Sequence, residues 1–134
     1  MTLNDTLDAL LATDDGNLAP NPQQWTRHLQ ADDKPFVVVN LLNLNNQEAL
    51  NRYAAAAVQK VQALGAELIY MGRGIDTLIG DEQDGCDIVS IWRWPSRSAW
   101  TTLWTDSEYA EIRPLFNEGV SRYRCLVTQE IQPR

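Results

Sequence analysis

Few residues in this chain combine a reactive type with a placement that could use it. Asn40 stands inside the apolar run Phe36-Val-Val-Val-Asn-Leu-Leu42. A buried amide left without a partner costs about 1–3 kcal/mol. Asn40 is therefore expected either to line a pocket or to pin a neighbouring loop or helix. Tyr53 and Tyr109 fall on apolar stripes, where the ring fills core volume and the hydroxyl can reach a cavity or a carbonyl. Arg73, Arg93, Arg97 and Arg113 are the cations nearest the expected sheet edge and helix starts. A guanidinium grips a carboxylate with two hydrogen bonds, so a pocket around one would suit an acidic small molecule. Ion pairing at the surface is the plainer alternative. Trp92 and Trp94 share a strand face and could wall a planar ligand, whereas Trp100 and Trp104, spaced i, i+4, read as core. The ligand-binding candidates are Asn40, Tyr53, Arg73, Trp92, Arg97, Tyr109 and Arg113, with no catalytic residue assigned.

Other chemistries find little support. His28 is the sole histidine and reads as a partly exposed helix residue with no polar neighbour to orient it. With two cysteines beside it, most zinc sites are excluded, and no metal or cofactor is expected. Asp81-Glu-Gln-Asp-Gly-Cys-Asp87 lacks the alternation and closing glutamate of a calcium loop, and reads as a solvated acidic hairpin. Gly72-Arg-Gly74 lacks the third glycine and following helix of a dinucleotide fingerprint. A nucleophile–base pair or a matched pair of carboxylates is likewise missing as a sequence signal. The net charge of −7 disfavours phosphate backbones and anionic lipid, so neither nucleic acid nor membrane is an expected partner. Met1–Leu11 is acidic and lacks the basic start and apolar core of a secretory peptide, which reads as a cytoplasmic protein. Cys86 and Cys125 are then expected as free thiols.

The elements that must position these residues follow from periodicity. A helical preface occupies residues 1–35. Thr6–Leu11 forms a short helix closed by an Asp14-Asp15-Gly16 turn, and a second helix is capped by Asn21 with Pro22 at its first position. Trp25, His28 and Leu29 form that helix's apolar stripe. The domain proper is expected over 36–134. Phe36–Leu42 is a strand, and a helix runs from about Asn46 to Leu64 with Gly65 as its left-handed terminator. Glu67–Arg73 and Asp87–Trp94 are strands. Ser96 caps a helix through Trp104, and Asp106 or Ser107 caps the next, which Pro114 should kink or interrupt. Arg122–Ile131 closes the chain as a last strand.

The order β-α-β-β-α-β after a helical preface is a ferredoxin-like α+β arrangement. It implies an antiparallel sheet in the order 4-1-3-2 with helices on one face. Yet the first and third strands are apolar on both faces, so the open face calls for a cover. Pairing of two copies through their sheets supplies one; the preface folded over the open face would supply another.

Asn21-Pro-Gln-Gln-Trp25 and Asp32-Asp-Lys-Pro-Phe-Val-Val-Val-Asn-Leu-Leu42 together resemble the entry segment of a bacterial family, domain of unknown function 1330. Tyr53, Gly65-Ala-Glu-Leu-Ile-Tyr-Met-Gly72, Trp94-Pro-Ser-Arg-Ser-Ala-Trp100 and Asp106-Ser-Glu-Tyr109 with Arg113 extend the resemblance over roughly residues 20–131. Asn43-Leu-Asn-Asn46 departs from it, standing where many members carry a basic or aromatic residue. The resemblance implies a dimeric α/β barrel, in which two four-stranded sheets pack face to face. It assigns no activity; relatives in the wider superfamily include cofactor-independent monooxygenases, haem-degrading enzymes, lactone isomerases and stress-responsive barrels. Fold alone does not choose among these.

The expectation is thus a small cytoplasmic homodimer that binds a small organic acid or aromatic, any catalysis being free of cofactors. A purely structural dimeric module is the alternative, and a monooxygenase-like enzyme a second. A polar-lined cavity with Asn40 facing it separates binding from pure assembly.

Overall fold

The structure is a computed structural model that describes residues 3–12 and 18–132. In chain order the elements are α1 (Leu3–Ala12), α2 (Pro22–Gln30), β1 (Phe36–Leu44), α3 (Gln47–Ala63), β2 (Glu67–Arg73), β3 (Ile88–Trp94), α4 (Arg97–Thr105), α5 (Ser107–Gly119) and β4 (Val120–Thr128). A single 3₁₀ turn, Glu82–Asp84, interrupts the β2–β3 connection. The strands form one antiparallel sheet in the order β2-β3-β1-β4, as the ferredoxin-like reading requires.

Local chemistry explains most boundaries. Asn21 caps α2 through a reciprocal pair: its side chain accepts from the Gln24 backbone N–H while Gln24 Oε1 accepts from the Asn21 N–H, each at 2.8 Å. Asn46 caps α3 and Ser96 caps α4, each accepting an N–H three residues on at 3.1 Å. Gly65 ends the α3 turn at φ +93°, a conformation that glycine adopts without the Cβ penalty. Asp106 caps α5 by accepting from the Glu108 N–H.

The structure departs from the sequence reading at α1, at β4, at Pro114 and at the end of β1, which runs past Leu42 to Leu44. Helix α1 is longer than Thr6–Leu11, and the Asp14-Asp15-Gly16 turn lies outside the described residues. Strand β4 begins at Val120 and ends at Thr128, because its length is set by the partner strand: Leu44 pairs with Val120 and Val37 with Thr128. Pro114 does not interrupt α5, which runs unbroken through it. The buried stripe Tyr109, Arg113 and Phe116 holds that helix against the domain and outweighs one missing hydrogen bond.

Strand alternation separates two unlike faces. Phe36, Val38, Asn40 and Leu42 of β1 stand beside Trp94, Trp92, Ser90 and Ile88 of β3 on the face that carries the helices. Val37, Val39, Leu41, Val89 and Ile91 occupy the other face, and none of them is buried. All five helices lie on the first side. Helix α1 packs on α2, both touch α4, and the His28 ring of α2 meets Phe36 edge-on at 6.4 Å. The preface therefore does not cover the open face. It is held instead by Trp25, fully buried against Trp100 and Trp104 with ring centroids 5.2 and 5.5 Å away. Burying such an indole contributes roughly 4–6 kcal/mol. At the far end of the helical layer α5 approaches α3 closely, and the Gly119 carbonyl accepts from both Asn45 and Asn46. A Cβ at Gly119 would lie 2.7 Å from the Leu50 backbone nitrogen, so the glycine is required by this crossing.

Candidate functional site

A cavity of about 220 Å³ lies between the helical face of the sheet and helices α3, α4 and α5. It is smaller than the roughly 300–1,000 Å³ of drug-sized sites, so a fragment-sized molecule is what it can hold. Five of the candidate residues line it: Asn40 from β1, Tyr53 from α3, Trp92 from β3, and Tyr109 and Arg113 from α5. The other two do not. Arg73 is exposed on edge strand β2, and Arg97 lines a separate groove beside α2.

The polar groups in the cavity form two short chains. Tyr123 donates to Asn40 Oδ1 at 2.7 Å, and Asn40 Nδ2 donates to Ser90 Oγ at 3.2 Å. The hydroxyls of Tyr53 and Tyr109 are 2.7 Å apart and share one hydrogen bond. Phe116 bridges the two chains, its ring centroid 5.0 Å from those of both Tyr53 and Tyr123. Burial holds the Tyr53 hydroxyl well above the usual phenol range, and the adjacent Tyr109 adds to the effect. Burial does the same for Tyr123, with the Cys125 thiol beside it as a second cause. Both phenols are neutral donors at any physiological pH. They are not bases.

Arg113 is buried and serves the cavity wall. Its guanidinium carbon stacks 4.2 Å from the Trp104 ring centroid, and Nη2 donates to the Leu18 carbonyl at 3.2 Å. Cation–π contact and a backbone acceptor offset part of its desolvation. Among the described residues that line the cavity there is no carboxylate.

Tyr123 and Ser90 belong to this constellation but escaped the sequence reading. Strand alternation alone offered a signal. In the order β2-β3-β1-β4, Ser90 sits opposite Asn40 on one side while Cys125 sits opposite it on the other. A tyrosine two residues before Cys125 must then share Asn40's face.

The second groove, of about 710 Å³, runs between α2 and edge strand β4. His28 corrects the sequence reading here, being buried and firmly partnered. Arg97 Nη1 donates to His28 Nδ1 at 3.3 Å. An arginine can only donate, so Nδ1 carries the lone pair and Nε2 the proton. Nε2–H then reaches Thr101 Oγ1 at 3.0 Å and the Arg97 carbonyl at 3.1 Å. Burial lowers the imidazole pKa to about 4, the Arg97 charge adding to the fall while the carbonyl bond and Asp33 oppose it.

Cys86 and Cys125 are free thiols. Among the described residues no three metal-ligating side chains cluster, and no helix is long and apolar enough to cross a membrane.

A family model described as domain of unknown function (DUF1330) matches residues 34–129. The solved structure of RPA0582, a protein of unknown function from Rhodopseudomonas palustris, superposes with a TM-score of 0.81 at 22% identity, covering 89% of this chain and 100% of that one. Methylated RPA0582 gives the same TM-score at 21% identity, covering 88% and 97%. A hypothetical Arabidopsis thaliana protein, At3g17210, is more distant: TM-score 0.51, 13% identity, 80% and 97% covered. These likenesses carry the fold alone. No curated protein matches the chain.

Proposed function

From the premise that the chain belongs to the DUF1330 family, we propose that it is a homodimeric binding protein for a small, planar organic molecule held in the sheet–helix cavity. The observation that carries this reading is the convergence of Asn40, Tyr53, Ser90, Tyr109 and Tyr123 from five separate elements on one small space walled by Trp92, Trp104 and Phe116. A core built only for packing has no use for five polar groups, each of which must be satisfied at a cost when buried. The free thiols fit a reducing cytoplasm.

The dimer supplies the missing cover. The four strands present a face of roughly 19 by 25 Å, or about 1,000 Å² for two copies. That is near the lower bound for a specific interface. Tyr70 and Leu126 extend this face, each more than half exposed, and Ile75, Leu78 and Ile79 of the β2–β3 connection are each over 90% exposed. Apolar surface of that kind adds the area a stable pair needs.

A thermal-shift screen of small ketones, phenols and aromatic acids tests the cavity, because a ligand that binds only the folded state raises Tm with its occupancy. At least one class should stabilise the wild type and fail to stabilise Asn40→Ala. Stabilisation that survives Asn40→Ala would place the ligand elsewhere. Sedimentation tests the pairing: a 30 kDa species is expected for two 15.2 kDa chains, and Ile91→Arg should convert it to a folded monomer. A wild type that sediments as a monomer at micromolar concentration refutes the dimer.

A further inference from the structure

We infer from the hydrogen bonds lining the cavity that its ligand presents an acceptor oxygen, a ketone or quinone carbonyl, to a cluster of unused protein protons. The inference rests on the cavity being the binding site and adds the chemical class of what fills it.

Tyr53 and Tyr109 hold a hydroxyl proton each, and their mutual bond uses only one of them. Asn40 has a pair of amide protons, of which one goes to Ser90, while its carbonyl oxygen already accepts from Tyr123. Ser90, itself buried, accepts that amide proton, and its own hydroxyl proton meets no acceptor among the described residues. One phenolic, one amide and one hydroxyl proton are therefore left over in the same cavity. Gln47 and Asn51, which could accept, sit at the solvent-exposed rim and bond to each other. Among the described lining residues no carboxylate offers itself to a ligand amine.

Buried donors without acceptors are costly, and a ligand that satisfies them gains what the empty site lacks. A carbonyl oxygen has the lone pairs to take two of these protons at once. An amine or amidine brings more protons to a place already oversupplied. Burial holds the Tyr53 and Tyr123 hydroxyls well above the usual phenol range, so neither becomes an acceptor at physiological pH. The flat walls of Trp92 and Trp104 set the remaining requirement, a planar body attached to the carbonyl.

Three probes of one shape test the inference by calorimetric titration of the wild-type protein. Acetophenone presents an acceptor, α-methylstyrene replaces the oxygen by a methylene group, and benzamidine presents only donors. Acetophenone should bind about tenfold more tightly than either of the others. Equal affinity for acetophenone and α-methylstyrene, or a preference for benzamidine, overturns the inference while leaving the cavity as a binding site. Binding of none of the three overturns both.

Variants then locate the protons by an unusual pattern. Tyr53→Phe alone frees the Tyr109 proton, and Tyr109→Phe frees that of Tyr53, so each single change should leave the acetophenone preference within about twofold. The double change removes the phenolic donor and should reduce the preference several-fold. Ser90→Ala should reduce it independently. Loss on either single tyrosine change equal to that of the double contradicts the shared-proton account.

Discussion

Lowering the pH from 7 to 4 should weaken the fold through His28. In the unfolded chain the imidazole takes up its proton near pH 6.5, whereas in the folded protein burial against Phe36 and Trp100 and the adjacent Arg97 hold that pKa down to about 4. Between these values the unfolded state binds more protons, so stability falls as the pH drops through this window and is flat above it. The full displacement corresponds to about 3 kcal/mol. The imidazole keeps some contact with the groove, and solvent screening reduces the figure to roughly 2 kcal/mol. His28 is the only histidine, so its ring protons give one unambiguous NMR titration, expected to have its midpoint near 4. Urea unfolding of the wild type and His28→Gln at pH 7 and pH 4 measures the energetic share, because carboxylate titrations common to both chains cancel in the difference. The stability advantage of the wild type should shrink by about 2 kcal/mol. A midpoint at or above 6, or a difference that does not change with pH, refutes the reasoning.

Substitutions at three positions test the packing and the caps. Gly119→Ala forces a methyl group against the Leu50 backbone and should cost about 1–3 kcal/mol in urea unfolding; a change under half a kcal/mol would contradict the close crossing. Pro114→Ala restores a backbone donor inside α5 and should stabilise by about 1–3 kcal/mol, read as a higher Tm. Asp106 both caps α5 and pairs with Lys60 at 2.9 Å. Asp106→Asn keeps the cap and should cost well under 1 kcal/mol, while Asp106→Ala should cost about 1–2 kcal/mol; equal losses would assign the effect to the ion pair.

What the sequence made legible was whatever depends on neighbours a few residues apart. The Asn21–Gln24 reciprocal cap, the α3 stripe and the two-sided apolar strand at Phe36 are local patterns with single physical readings. From them the strand order and the open sheet face followed. Asn40 was found because an amide in an apolar strand conflicts with its surroundings. Tyr123 and Ser90 were missed because their role depends on register. Tyr123 lies 83 positions from Asn40 in sequence, and only the sheet brings them together. The burial of His28 is illegible for the same reason: the Arg97 that partners it stands 69 positions away. Pro114 shows the limit of a local rule: the buried Tyr109, Arg113 and Phe116 that keep α5 continuous are tertiary contacts.

The most direct measurement is of what enters the space between the sheet and helices α3, α4 and α5. Titration of isotopically labelled protein with acetophenone, followed by heteronuclear NMR, reports that at each residue. Saturable shifts concentrated at Asn40, Ser90, Trp104 and Tyr109, with Trp25 and His28 unmoved, are the predicted result. Shifts confined to the groove at Trp25 and His28, or none that saturate, would contradict it.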